Sequence, residues 1–250
     1  MFRCADADER AATVIRVVLP CLIGALGCAP EPLPTTRPAQ SPPPAGSSGC
    51  CSALERSVIQ ELNRARTNPA QFAADLEARI PNYRGYIYRK PGEEVGVRTV
   101  EGADAVREAV RALRATRPVA PVRLSSGMSA GAADHVRDHG PRGGLGHDGR
   151  DRSTPASRIS RYGRWFGLVS ENIQYGRAAT GQDVIADLLI DDGVADRGHR
   201  RNALDPNVRV AGVSCGRHAT YEQMCVIVHA GDFAERASAD PGGAGAGHSR

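Results

Sequence analysis

Two β-branched runs near the C-terminal end, VRVAGVSC (208–215) and CVIVHAGDF (225–233), set the strongest limit on the fold. Val and Ile are stiff at χ1 and favour extended backbone. The runs therefore predict two strands joined through GRHATYEQM as an antiparallel hairpin. Cys215 and Cys225 stand at the facing ends of these strands, and cross-strand neighbours sit at disulfide distance. A Cys215–Cys225 bond is the simplest pairing, the alternative being two buried thiols.

Upstream of the hairpin the chain is mostly helical. SALE (52–55) is a capping box, and Leu54, Val58, Ile59 and Leu62 follow at helical spacing. Asn68 caps a second helix that starts at Pro69 and continues through AQFAADLEARI. Residues 81–101 carry three Tyr among turn formers and charges without a helical period, which predicts an irregular insertion with a short strand. DAVREAVRALRAT (104–116) and SSGMSAGAADHVRDHG (125–140) are helical again, the latter with Met128, Ala132, His135 and His139 along one stripe. A short helix starts at Thr154 and Pro155. From there the order is strand (SENIQYG, 170–176), helix (TGQDVIADLLIDDG, 180–193), strand, strand. With no internal repeat, residues 51–235 read as one α+β domain in which helices cover an antiparallel sheet.

The flanks differ in character. TVIRVVLPCLIGALGC (13–28) holds an apolar run far shorter than the roughly 20 residues a spanning helix needs. Residues 1–28 read as a signal peptide, with a start at Val14 giving the short basic head expected of one at Arg16. The run ends in ALGC, which resembles a lipobox with Cys28 as the lipidation site. Ala25 and Leu26 stand in atypical order, so an ordinary signal-peptidase site is the alternative. Residues 29–50 form a Pro/Ser-rich linker, and 236–250 have too little to bury to fold. These features predict an exported protein, either extracellular or held at a bacterial cell envelope through a lipid anchor rather than a spanning helix. Once Cys4, Cys21 and Cys28 are set aside, four cysteines remain with three connectivities, and the partners of Cys50 and Cys51 stay open. The net charge of +4 comes with arginines scattered along the chain rather than interleaved with aromatics, which speaks against a nucleic-acid platform.

Four segments in order, LNRARTNPAQFA (62–73), GLGHDG (144–149), SENIQYG and RGHRRN (197–202), followed by the cysteine hairpin, resemble the CAP superfamily of cysteine-rich secretory, antigen 5 and pathogenesis-related 1 proteins, closest to its bacterial SCP-like branch. The resemblance runs over most of residues 54–233. It implies a three-layer α-β-α sandwich with a central antiparallel sheet and a cleft lined by two histidines and two acids. His147, Glu171 and His199 occupy three of those places. For the fourth, on the helix after the ENI strand, this chain offers Asp191 and Asp192 but no Glu, and Leu188 or Leu189 stands where the family has Trp. The resemblance further implies an extracellular binder of lipids or proteins.

Taken as side chains alone, two neutral imidazoles and a carboxylate suit a divalent cation, zinc foremost, with open positions for water. The bland readings are a loop histidine at 147, a helix-terminal histidine at 199 and a carboxylate tied to backbone amides at 171. The predicted function is binding of a divalent metal, a lipid or a protein without turnover. The alternative is a metal-dependent hydrolase or peptidase with Glu171 as general base. A rival pair, His135 and His139 of HVRDH, has the spacing of an inverted zincin with Asp138 in place of Glu; packing and hydrogen bonding is the favoured reading there. No G-x-S-x-G elbow or phosphate-binding loop is present, and Ser170 beside Glu171 is no more than suggestive, since a triad needs geometry that sequence does not provide.

Overall fold

The computed structural model describes residues 51–236. The signal segment with Cys28, the Pro/Ser-rich linker with Cys50, and the C-terminal tail lie outside them. Helix α1 (Ala53–Thr67) begins with the anticipated capping box: Glu55 N donates to Ser52 Oγ at 3.2 Å and Ser52 N to Glu55 Oε2 at 2.6 Å. Helix α2 (Pro69–Glu77) is capped by Asn68, whose Oδ1 accepts from Gln71 N. The irregular insertion is a small antiparallel sheet of β1 (Tyr83–Arg84), β2 (Ile87–Tyr88) and β3 (Val97–Arg98). Then follow α3 (Ala103–Ala115), β4 (Arg123–Leu124), α4 (Ser126–His139), α5 (Pro155–Ser160), β5 (Gly163–Tyr175), α6 (Gly181–Ile190), α7 (Gly198–Leu204), β6 (Val210–His218) and β7 (Glu222–Glu235).

The main sheet has the order β4-β6-β7-β5. Its three long strands are antiparallel, and the two-residue β4 joins the β6 edge in parallel. Side chains alternate between its faces, and each face has its own core. On one side Ala211, Val213, Cys225 and Ile227 pack with α1, α2, α3 and α6. On the other, Val210, Met224, Val226, Val228 and Ala230 pack with Met128 and Ala132 of α4 and Ile159 of α5. This is the three-layer α-β-α sandwich. Helix α4 lies so close to β6 that a Cβ at Gly212 would collide with the Met128 and Ser129 backbone, so the crossing requires glycine there.

Three sequence expectations change in extent. The hairpin strands run on to His218 and from Glu222, leaving a three-residue turn rather than the nine-residue connection, because polar Arg217, His218, Glu222 and Gln223 pair across it. Strand β5 starts seven residues before SENIQYG, its alternation interrupted by a register irregularity between Phe166 and Val169 beside Gly167 at φ +77°. RGHRRN is itself mostly helical, as α7, a helix absent from the expected order, and His199 sits in its first turn. The Cys215–Cys225 disulfide is present, between residues paired directly across β6 and β7. No helix among the described residues is long and apolar enough to cross a membrane.

Candidate functional site

Strand β5 is an edge strand, and consecutive residues of a strand point to opposite faces. Glu171 and Asn172 use this geometry to hold one histidine on each side. Glu171 Oε1 lies 3.0 Å from His147 Nδ1 on the α4–α5 side. Asn172 Nδ2 donates to the His199 carbonyl at 2.9 Å on the α7 side, and its Oδ1 accepts from Asn202 Nδ2. Two histidine–acid pairs therefore straddle the sheet edge.

The first pair has a buried base. The Glu171 side chain is 1 % exposed, and its second oxygen accepts from Arg158 Nη2 at 2.8 Å; the Arg158 side chain is 2 % exposed. His147, by contrast, has a half-exposed side chain. Arg158 also donates to the carbonyls of His147 and Ser153, so one guanidinium fixes both the carboxylate and the backbone of its histidine. Helix α5, which carries Arg158, is started by Thr154 Oγ1 accepting from Ser157 N.

The second pair shows which aspartate is the further acid. Asp191 ends α6 in the left-handed region at φ +57°, a conformation aspartate tolerates better than most residues. This turns its carboxylate onto the start of α7. Oδ1 lies 2.6 Å from His199 Nδ1, and Oδ2 accepts from His199 N and Arg200 N. Asp192 points elsewhere: its two oxygens cap Val100 N and Glu101 N.

In both pairs the carboxylate engages Nδ1, and Nε2 makes no hydrogen bond within the described residues. A carboxylate on Nδ1 sets the tautomer and orients the ring so that Nε2 can ligate. The donor set thus consists of two Nε2 atoms, one on each side of the sheet edge, with Glu171 and Asp191 orienting the rings. It does not form a protein cage: among the described residues no group of three or more His, Cys, Asp or Glu converges on one point.

The rival pair of histidines has a different role. His135 Nε2 donates to Gly146 O at 2.9 Å and His139 Nε2 to Asp148 O at 3.0 Å, the carbonyls on either side of His147. Their rings lie tilted against each other with centroids 4.2 Å apart, and burial lowers the basicity of His135, which favours the neutral ring. His218 Nε2 donates to Gly144 O, and the Tyr175 hydroxyl accepts from Gly146 N. Burial pushes the Tyr175 phenol up to about 12, so it stays protonated. The loop carrying His147 is clamped along its length. Ser170 faces away from Glu171 and its buried Oγ has no hydrogen-bond partner among the described residues, so the two form no nucleophile–base pair.

Sequence reasoning missed Arg158, Asn172, Tyr175 and His218. Arg158 is one of 32 Lys and Arg residues and stands in no pattern that would single it out. Asn172 was legible only as part of SENIQYG.

Residues 107–229 match the family model described as the cysteine-rich secretory protein family, CAP. The chain carries a CAP domain. The CAP domain is similar to a solved extracellular protein containing a SCP domain from Bacillus anthracis str. Ames, with 19 % identity, a TM-score of 0.35, and 45 % of this chain and 34 % of that one covered. It is also similar to an outer surface protein from Borrelia burgdorferi, with 13 % identity, a TM-score of 0.37, and 54 % and 89 % covered. The match thus spans about a third of the Bacillus anthracis chain. No curated protein matches the chain.

Proposed function

We propose that this CAP domain is an exported, lipid-anchored binding module that takes a divalent cation, zinc foremost, at the two imidazoles, and through that edge of the sheet a lipid or protein ligand, without turnover. The observation that carries the reading is the carboxylate on Nδ1 of each histidine, which leaves both Nε2 atoms as donors. The same observation weighs against the hydrolase alternative. A general base must reach the water it deprotonates, whereas Glu171 is buried with one oxygen on Arg158 and the other on His147. Export is supported by the disulfide, since such bonds persist in oxidising compartments. The anchor rests on Cys28 after ALG.

Calorimetry with zinc tests the reading. Protonated imidazole cannot ligate, so binding expected at about pH 7.5 should weaken at about pH 5.5, either side of the ~6.5 of a free histidine. His147→Ala and His199→Ala should each remove most of the affinity. Absence of binding by the wild type, or an unchanged affinity in His199→Ala, would refute the cation site. Zinc-dependent cleavage of peptide or ester libraries that Glu171→Gln abolishes would establish the hydrolase instead.

A further inference from the structure

The turn between α6 and α7 holds two of the four non-glycine residues with positive φ among the described residues, Asp191 at +57° and Arg197 at +52°. Left-handed backbone is strained for a residue with a Cβ and persists where the surroundings over-determine it. Glycine would end α6 without that cost. A glycine, however, has no carboxylate to hold His199 Nδ1 with one oxygen and cap His199 N and Arg200 N with the other, as Asp191 does.

Two guanidinium groups over-determine this backbone. The last carbonyls of a helix have no partner within it. Arg200 Nε donates to Leu189 O at 2.6 Å and its Nη2 to Ile190 O at 3.2 Å. Arg197 Nη1 donates to Asp191 O at 2.7 Å and to Val194 O at 3.1 Å. Three consecutive carbonyls, ending with that of Asp191 itself, are thus held by arginines. The arginines are seated in turn on Glu108 of α3 and on Glu101 just before it. Arg200 meets both Glu108 oxygens at 2.7 Å, and Arg197 meets both Glu101 oxygens at 2.7 Å. The Arg200 and Arg197 side chains are 8 % and 18 % exposed, so these bidentate pairs are largely shielded from water. The ties are reciprocal, because Glu101 Oε1 also accepts from Gly193 N while Asp192 accepts from Val100 N and Glu101 N.

We propose that Arg197 and Arg200 are positioning residues for His199. Seated on Glu101 and Glu108, they fix the left-handed backbone of Asp191, whose carboxylate then sets the His199 tautomer and leaves Nε2 free to bind. This role rests on the reading of His199 Nε2 as a donor atom, yet it concerns the ring itself and is measurable with no cation present. His147 is the internal reference, since its ring is held by Glu171 on the other side of the sheet edge.

The test is nitrogen NMR of the isotopically labelled full chain, free of metal, at about pH 8, above the ~6.5 of a free histidine. Both rings of the wild type are expected as the Nδ1–H tautomer. Arg197→Met and Arg200→Met should each convert much of His199 to the Nε2–H tautomer and speed exchange of its Nδ1 proton at least about tenfold, with His147 unchanged. Arg200→Lys keeps the charge but not the planar fork, so it should restore only part of the wild-type signal. Glu108→Gln, at a residue 36 % exposed, should shift His199 in the same direction more weakly, and it decides the matter if an arginine variant does not fold. In zinc calorimetry the arginine variants should lose about tenfold in affinity. A wild type with the expected tautomer that binds no zinc supports the positioning role and overturns the cation reading instead. The positioning role is overturned if wild-type His199 is already the Nε2–H tautomer, if the folded variants keep the wild-type His199 signal, or if His147 changes as much as His199.

Discussion

Arg158 and Glu171 form an ion pair with both side chains almost wholly buried. Removing one member of such a pair leaves an uncompensated charge and costs about 3–5 kcal/mol, whereas replacing both with apolar residues of similar size is often close to neutral. Arg158→Met should therefore lower the urea midpoint strongly, and Arg158→Met/Glu171→Leu should recover most of the loss. Stability and binding then separate, because the recovered double variant has no carboxylate on His147 Nδ1. Its zinc affinity should fall about 10–100-fold, the usual cost of losing such an orienting partner. If the double variant binds zinc as the wild type does, Glu171 is structural only. Glu171 was legible because it stands inside SENIQYG, but its buried arginine was not. The pairing arises from the packing of α5 against β5, which no local pattern of residues records.

Among the elements, the hairpin strands were legible, and helices α1, α2 and α6 could be read with their caps, because Ser52, Asn68 and Thr180 hydrogen-bond within their own next three residues. The choice between Asp191 and Asp192 could not, since it turns on the left-handed backbone at the end of α6 and on where α7 begins. The stripe containing His135 and His139 was visible, yet its use, holding Gly146 O and Asp148 O, depends on the return of a distant loop. That clamp makes a prediction at this scale. Loop amides exchange through local openings whose free energy reflects the contacts holding the loop. In His135→Phe and His139→Phe, exchange at Gly146 and Gly149 should accelerate by about tenfold or more, while the amides of β6 and β7 keep their wild-type rates apart from a uniform shift with global stability. Equal protection of the loop in both variants would show that Arg158, His218 and Tyr175 suffice without the pair.

At the scale of the whole molecule, buried polar groups stand beside the apolar cores on both sides of the sheet. Arg66 of α1 is fully buried and donates to the carbonyls of Ala120, Ala203, Asp205 and Val208, fastening α1 to the segments before β4 and after α7. His229 of β7 is buried in the same layer, with neither ring nitrogen hydrogen-bonded among the described residues. Burial, reinforced by the Arg66 charge and only partly opposed by Asp205, pushes its imidazole down to about 3. His135 moves in the same direction through burial and Arg158. A histidine depressed in the fold binds its proton first in the unfolded chain, at about 6.5. Its contribution is complete above that pH, is lost as pH falls below it, and levels off near the folded value. For each such group the slope approaches roughly 1.4 kcal/mol per pH unit. Urea unfolding at about pH 7, 6 and 5 should show stability falling on acidification, partly offset by Asp187, whose carboxyl burial raises to about 6 so that it takes its proton first in the fold. His229→Leu should make that fall shallower. Coincident slopes for wild type and variant would mean that water reaches His229 and that the layer between α1 and the sheet is less dry than its packing implies.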